Sequence, residues 1–293
     1  MDILGTPAGR LRPGDSNPGT VTMKPGGVGG NIARALRRLD WQVRLAAPLG
    51  EDPNGDTIAR ALARDGIDTS LCPRIPGRRS GIYLLIEDEH GDLVTAVSDM
   101  AIMEQMTPGQ LETRAEEMMR ADWVVLDANL PEETLLWASD RAAVRFAADP
   151  VSAVKAPRLR GLLPRLELIK PNVREAEALT GLTLERAGEA GLARAIADLG
   201  TRRVFLTLGA GGAYCLGQDG EGHMDCFPGP VVDTNGCGDA FFAAALTAVS
   251  RGMNTAEAGR YALAAAALKA AGRCIDERRI GAAVSAGGVE NDE

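Results

Sequence analysis

The chain has 293 residues, with 32 lysines and arginines against 40 aspartates and glutamates, a formal net charge of −8. That balance argues against a protein that coats nucleic acid, and 45% hydrophobic with 25% charged residues is the composition of a folded globular protein. One large domain, or one large and one small, is the expectation at this length, because single cores stop growing at roughly 250–300 residues.

In chain order, Asn31 to Leu39 carries apolar residues at helical spacing, Val43 to Pro48 is short and apolar, and Thr57 to Asp65 is helical again. Ile82 to Glu87 and Leu93 to Ser98 are β-rich runs around Asp88-Glu89-His90-Gly91-Asp92, which predicts a hairpin. With Thr20 to Met23 this hairpin reads as a lid or a surface excursion. The alternation resumes with a strand at Trp123 to Asp127, a helix at Pro131 to Ala138, and strands at Val144 to Asp149 and Leu166 to Lys170. Helices at Arg174 to Leu179 and Leu192 to Leu199 precede a strand at Val204 to Leu208. Helices follow at Asp239 to Ser250 and Thr255 to Ala271, with a short one near Glu277. The pattern predicts an α/β fold: a doubly wound, mostly parallel sheet with helices on both faces, plus a small β lid. The Ala-rich stretch from Ala262 to Ala271 reads as a helix packed close to its neighbours.

The longest apolar runs, such as Ala240 to Val249, stop at ten residues, short of the roughly 18–20 that a membrane-spanning helix requires. The N-terminus lacks the basic and apolar regions of a secretory signal, so a cytoplasmic location is expected. Five cysteines without a CxxC pair read as reduced thiols rather than a disulfide framework or zinc site. His90 and His223 each adjoin glycine and read as solvated turn residues.

The sharpest signal is Asp233-Thr234-Asn235-Gly236-Cys237-Gly238-Asp239, placed directly before a helix. Glycines at a helix start leave backbone N–H groups converging on one volume, and the helix dipole adds positive charge, which predicts an anion hole from Gly236, Cys237 and Gly238. Asp239 at its mouth would repel a phosphate, but suits a base that takes a proton from a hydroxyl. A plain N-cap aspartate is the bland alternative. Cys237 near a helix N-terminus is expected to have a lowered thiol pKa.

This string resembles the C-terminal signature of the ribokinase-like (PfkB-type) carbohydrate and nucleoside kinases, and Gly26-Gly27-Val28-Gly29-Gly30-Asn31-Ile32-Ala33 resembles their N-terminal element. Lys170-Pro171-Asn172-Val173-Arg174-Glu175 is similar to the family's Asn-x-x-Glu motif, and Thr207-Leu208-Gly209-Ala210-Gly211-Gly212 to its nucleotide-binding segment. The resemblance implies one kinase domain over residues 1–293, with a lid from about 8–23 and 73–98. It implies Asp239 as catalytic base, and Asp2, Gly27 and Asn31 at the substrate. Nucleotide binding is implied for Asn172, Thr207, Gly209, Gly212 and Thr234, with Glu175 reaching Mg²⁺ through water. ATP and Mg²⁺ are the implied cofactors, with a monovalent cation such as K⁺ as an optional addition.

Val97-Ser98-Asp99-Met100-Ala101-Ile102-Met103, Asp127-Ala128-Asn129-Leu130 and Asp149-Pro150-Val151-Ser152 resemble the pseudouridine-phosphorylating branch of that family. This implies phosphorylation of a nucleoside 5′ hydroxyl, with Asp99 and Asn129 at the cleft edge, and Tyr83 is a candidate base contact. Kinases of ribose, uridine, adenosine or a keto-sugar acid are the alternatives. The expected partner is a small sugar or nucleoside, with no nucleic acid and no membrane; a homodimer is compatible with the reading. Three departures from the family stand out, one being Cys237, where the family has a small Ala. The first core strand is expected to be truncated, because the chain begins at Met1-Asp2, which would leave Asp2 a poorly anchored terminus and turnover impaired unless a strand lies upstream. Asp40 stands where the family usually has Gly or Ser, a turn position that Asp tolerates.

Overall fold

The computed structural model describes residues 1–140 and 144–289. The first strand, β1 (Asp2–Pro7), runs antiparallel to β2 (Gly19–Lys24). Helix α1 (Val28–Arg38) follows, and Asp40 just past its end takes φ 64°, a left-handed turn that Asp accepts. The short apolar segment Val43 to Pro48 is not a strand: Arg44 makes a single parallel bridge to Asp68. Short strands β3 (Leu49–Gly50) and β4 (Arg74–Ile75) pair on either side of α2 (Pro53–Arg64).

The expected hairpin is β5 (Ile82–Glu87) and β6 (Leu93–Asp99), and Asp88 shapes its turn by accepting the N–H groups of His90 and Asp92. These strands join β1 and β2 in a four-stranded sheet of order β2-β1-β5-β6. The lid is therefore built differently from the expected 8–23 and 73–98: residues 2–7 are one of its strands, and Pro73 to Gly81 lead into it through β4. Asp2 is not poorly anchored. The Met1 ammonium donates to the Gly81 carbonyl at 2.8 Å, and Asp2 lies opposite Lys24 on one side and Tyr83 on the other.

After two short helices, α3 (Pro108–Glu112) and α4 (Ala115–Met118), the large sheet begins. It contains β7 (Trp123–Asp127), β8 (Arg145–Asp149) and β9 (Leu166–Ile169), with α5 (Glu132–Asp140) after β7. Two helices, α6 (Val173–Thr180) and α7 (Leu184–Asp198), lead to β10 (Val204–Thr207) and the antiparallel pair β11 (Ala213–Gly217) and β12 (Gly220–Met224). His223 thus sits in a strand, beside Glu189 and Asp225 at the surface, rather than in a turn. The order is β12-β11-β10-β9-β8-β7, parallel from β7 to β10.

Both faces are covered. On one, α5, α6 and α7 pack over Phe146, Leu166, Ile169 and Leu206. On the other lie α1 and three C-terminal helices, α8 (Cys237–Ser250), α9 (Thr255–Ala270) and α10 (Glu277–Ala286). Helix α8 is buried from Ala240 to Val249, as a helix apolar all round must be. The alanines at 262, 264 and 265 of α9 are fully buried, where small side chains allow close packing. This α/β layering, with helices on both faces, is the predicted one. It places the carboxyl ends of four parallel strands on one rim, where open α/β sheets present ligand sites. No described helix is long and apolar enough to cross a membrane.

Candidate active site

The rim gathers four chain segments that are far apart in sequence. At its centre the loop before α8 turns through Gly236, whose φ of 76° is the left-handed conformation that glycine adopts without strain. The turn leads directly into the first turn of α8. The Cys237 N–H is taken by the Thr234 carbonyl at 3.2 Å, while those of Gly238 and Asp239 have no acceptor within the helix. The result is an anion-receptive cradle. Of the expected Gly236, Cys237 and Gly238 amides, that of Cys237 is thus spent on Thr234, whereas those of Gly238 and of Asp239 remain for a ligand. The Cys237 thiol also departs from expectation: burial pushes its pKa up, against the pull of Lys269.

Asp239 stands in that first turn. Its Oδ2 accepts a hydrogen bond from Asn31 Nδ2 at 2.9 Å, which ties α1 to α8 across 208 residues. Burial raises the Asp239 pKa to about 6, against the Asn31 hydrogen bond; nearby Asp149 and Asp127 push the same way as burial, and Lys170 opposes them. A carboxyl poised near neutrality suits a general base. Asn31 therefore spends one amide hydrogen on Asp239, and its Oδ1 is 3.4 Å from Arg34.

The Gly-rich entry to α1 is shaped by close approach. A side chain on Gly26 would overlap the Asp2 carboxylate, and the nearby Gly27 N–H favours the charged form of that carboxylate. Burial raises the Asp2 pKa, against the neighbouring N-terminal ammonium. Gly27, with φ 91°, faces open space where a ligand can approach the backbone. A cavity of about 1810 Å³ opens there, lined by Asp2, Gly27, Asn31, Asn129, Tyr83 and Gly236 among others. It runs on along the outer edge of β7 and past Val43 to Ala47, which makes it larger than a nucleoside needs.

Asn129 is held in this wall: its N–H donates to Asp127, and Lys155 Nζ donates to its Oδ1 at 2.6 Å. Asp99 is not brought to the cavity. It ends β6 as an exposed residue, and strand alternation turns its neighbour Ser98 to the cavity together with Tyr83, which lies opposite Ser98.

On the other side of the cradle stand Asn172 and Glu175. They form a capping box: Asn172 Oδ1 accepts the Glu175 N–H at 3.0 Å, and Glu175 Oε2 accepts the Asn172 N–H at 2.9 Å. Burial raises the Glu175 pKa, against Lys170 and the Asn172 N–H. Thr207 lies beside Asn172 through a parallel bridge, with Gly209 following at φ 62°. A side chain on Gly212 would strike the Met224 carbonyl, so glycine there is required by the β11–β12 hairpin. Thr234 is exposed at the loop before α8. Among the described residues no three His, Cys, Asp or Glu side chains are grouped to hold a metal ion.

Three charged residues were missed as site members in the sequence. Asp149 and Lys170 form a buried ion pair at 3.1 Å, and Lys269 lies 3.7 Å from Asp233 beside the cradle loop. For Asp149 and Lys170 the available signal was a charged residue at the carboxyl end of an apolar strand, as at Asp127; Lys269 had none. Val151, just after Asp149, takes φ 65°, an outlier for a β-branched residue, and its N–H is held by the Asp149 carboxylate at 2.8 Å.

The chain matches the pfkB family carbohydrate kinases over residues 1–273. It belongs to that family. It is 34% identical to the pseudouridine kinase of Escherichia coli strain K12, over 89% of this chain and 85% of that protein. It is 30% identical to the uncharacterized sugar kinase YeiI of the same organism, over 96% of this chain and 79% of the other. Among solved structures, a carbohydrate kinase from Agrobacterium tumefaciens superposes with a TM-score of 0.83 at 29% identity, covering 97% of this chain and 94% of that one. This pfkB-family kinase is thus a phosphotransferase that acts on an alcohol group.

Proposed function

We propose that the enzyme transfers the terminal phosphoryl group of ATP to the 5′ hydroxyl of pseudouridine. The observation that carries the transfer chemistry is the Asn31–Asp239 hydrogen bond at the mouth of the amide cradle, with a cavity on one side and the Asn172–Thr207 rim on the other. The nucleoside occupies the cavity, its ribose against Asp2, Gly27 and Asn31, and its base between Asn129 and the lid residues Tyr83 and Ser98. Asp239 removes the hydroxyl proton as the oxygen attacks phosphorus. The Gly238 and Asp239 amides stabilise the charge that develops on the transferring group, so no covalent enzyme intermediate is needed.

ATP lies along Asn172, Thr207, Gly209 and Thr234. The donor set fits Mg²⁺ only in company with phosphate oxygens and water, since Glu175 offers one carboxylate and already spends an oxygen on its cap. When bound, the ion would neutralise charge on the phosphates. The choice of pseudouridine rests on the likeness to the Escherichia coli enzyme of that name. A panel of pseudouridine, uridine, adenosine, ribose and a keto-sugar acid with ATP tests it, read as ADP formed and as product mass. Pseudouridine 5′-phosphate as the fastest product is expected, and a tenfold preference for another acceptor rejects the substrate. Nucleoside binding by calorimetry without any ADP rejects turnover.

A second copy of the chain is the proposed macromolecular partner. The lid face turned away from the cavity carries a row of Met23, Ile3, Leu84 and Val97 in register across all four strands. Val21, Met23 and Val97 on that face are exposed, as apolar residues of an interface are before association.

A further inference from the structure

A single lysine stands where the strand-end carboxylates meet the cradle. Lys170 follows β9, and its side chain is 8% exposed, with Nζ 3.1 Å from Asp149 Oδ2. On its other side, a methyl group on Gly238 would lie 3.4 Å from the same Nζ. The ammonium therefore lies beside Gly238 in the first turn of α8, with no side chain of that residue between them. Burial disfavours the charge on Lys170, but Asp149, Glu175 and Asp239 outweigh it and raise its pKa, so the lysine is cationic throughout the working range. The pair itself is buried, but Gly238, which the lysine faces, is exposed.

Resting on the phosphoryl-transfer reading above, we propose that Lys170 is a positioning residue for that reaction. Tethered by Asp149, it sets a fixed positive charge behind the Gly238 and Asp239 amides, supports the Asp239 carboxylate and draws the terminal phosphate of ATP into the cradle. Asp239 is faced by Asn31 from α1, by Asp127 and Asp149 from the ends of β7 and β8, and by Lys170 from the end of β9. Without the lysine, the base keeps one neutral donor and two like charges, so it holds its proton to higher pH. Neutralising Asp149 removes one of those like charges and works in the opposite sense.

The test is the pH profile of kcat/KM for nucleoside phosphorylation by the wild type, Lys170→Gln, Lys170→Arg and Asp149→Asn. Lys170→Gln is expected to move the acid limb up by about one pH unit, to raise KM for ATP at least tenfold and to leave nucleoside affinity by calorimetry unchanged. Lys170→Arg returns the limb towards the wild-type position, and Asp149→Asn moves it down. Limbs that stay in place, or move in the same direction, in Lys170→Gln and Asp149→Asn overturn the proposal. If Lys170→Gln fails to fold, judged by thermal unfolding, the directions found for Lys170→Arg and Asp149→Asn decide. A wild type that phosphorylates nothing in the panel defeats the functional reading instead; ATP calorimetry then judges Lys170, with tenfold weaker binding in Lys170→Gln supporting it and equal binding overturning it.

Discussion

Asp239 is costly to the fold for the same reason that it suits catalysis. Asp239 is half-buried, and its pKa of about 6 lies well above the roughly 3.9 of an unfolded aspartate. A carboxyl whose folded pKa is raised penalises the native state wherever it is charged, so the penalty is fully present above pH 6 and gone below the unfolded pKa. Asp239→Asn is therefore expected to unfold at a higher temperature than the wild type at pH 8, with the gap closing by pH 4, as followed by scanning calorimetry. The same change removes the base and lowers kcat by about 10²–10⁴-fold, with nucleoside affinity by calorimetry largely retained. Turnover within a few-fold of the wild type would reject Asp239 as the base. Its place at a glycine turn and helix start was legible from residues 233–246, whereas its hydrogen-bond partner was not. Asn31 is 208 residues away, and nothing in a local pattern links the two.

At the scale of elements, the junction of loop and α8 decides whether the amides converge. Gly236 takes φ 76°, and a methyl group there would meet Lys269 and Asp239 only at ordinary contact distances of 3.5 and 3.8 Å. The cost of Gly236→Ala is thus backbone strain rather than collision, roughly 1–2 kcal/mol. The urea midpoint is expected to fall accordingly, and kcat to fall at least tenfold because relaxing the turn re-aims the Gly238 and Asp239 N–H groups. A variant with an unchanged midpoint would show that the turn tolerates a side chain. The helices and the parallel strands were readable from periodicity and flanking residues. Strand β1 was not, because six residues containing Gly5 and Pro7 carry a weak pattern and owe their structure to pairing with β2 and β5 on either side. Asp99 failed for a related reason: its residue type invited a binding role, but the register with Ile82 turns Ser98 to the cavity instead.

For the whole molecule, the lid sheet has two different faces, one turned to the cavity and one to solvent. Thr22, Leu4 and Leu85 line the cavity, while Met23, Ile3, Leu84 and Val97 form the opposite row. If that row is a self-association surface, the double change Met23→Lys and Val97→Asp yields a monomer by light scattering where the wild type is a dimer, and raises KM for the nucleoside several-fold by loosening the lid. A wild type that is monomeric at micromolar concentration would reject the interface. What the linear order of residues settled for this kinase is its layered α/β class, its family motifs and the helix start that makes an amide cradle, because each depends on neighbours within a few turns of chain. Which groups meet at that cradle was settled by folding alone. Asn31 beside Asp239, Lys170 between Asp149 and Gly238, and Ser98 rather than Asp99 at the cavity all follow from strand register and helix docking, which bring together residues that share no local pattern.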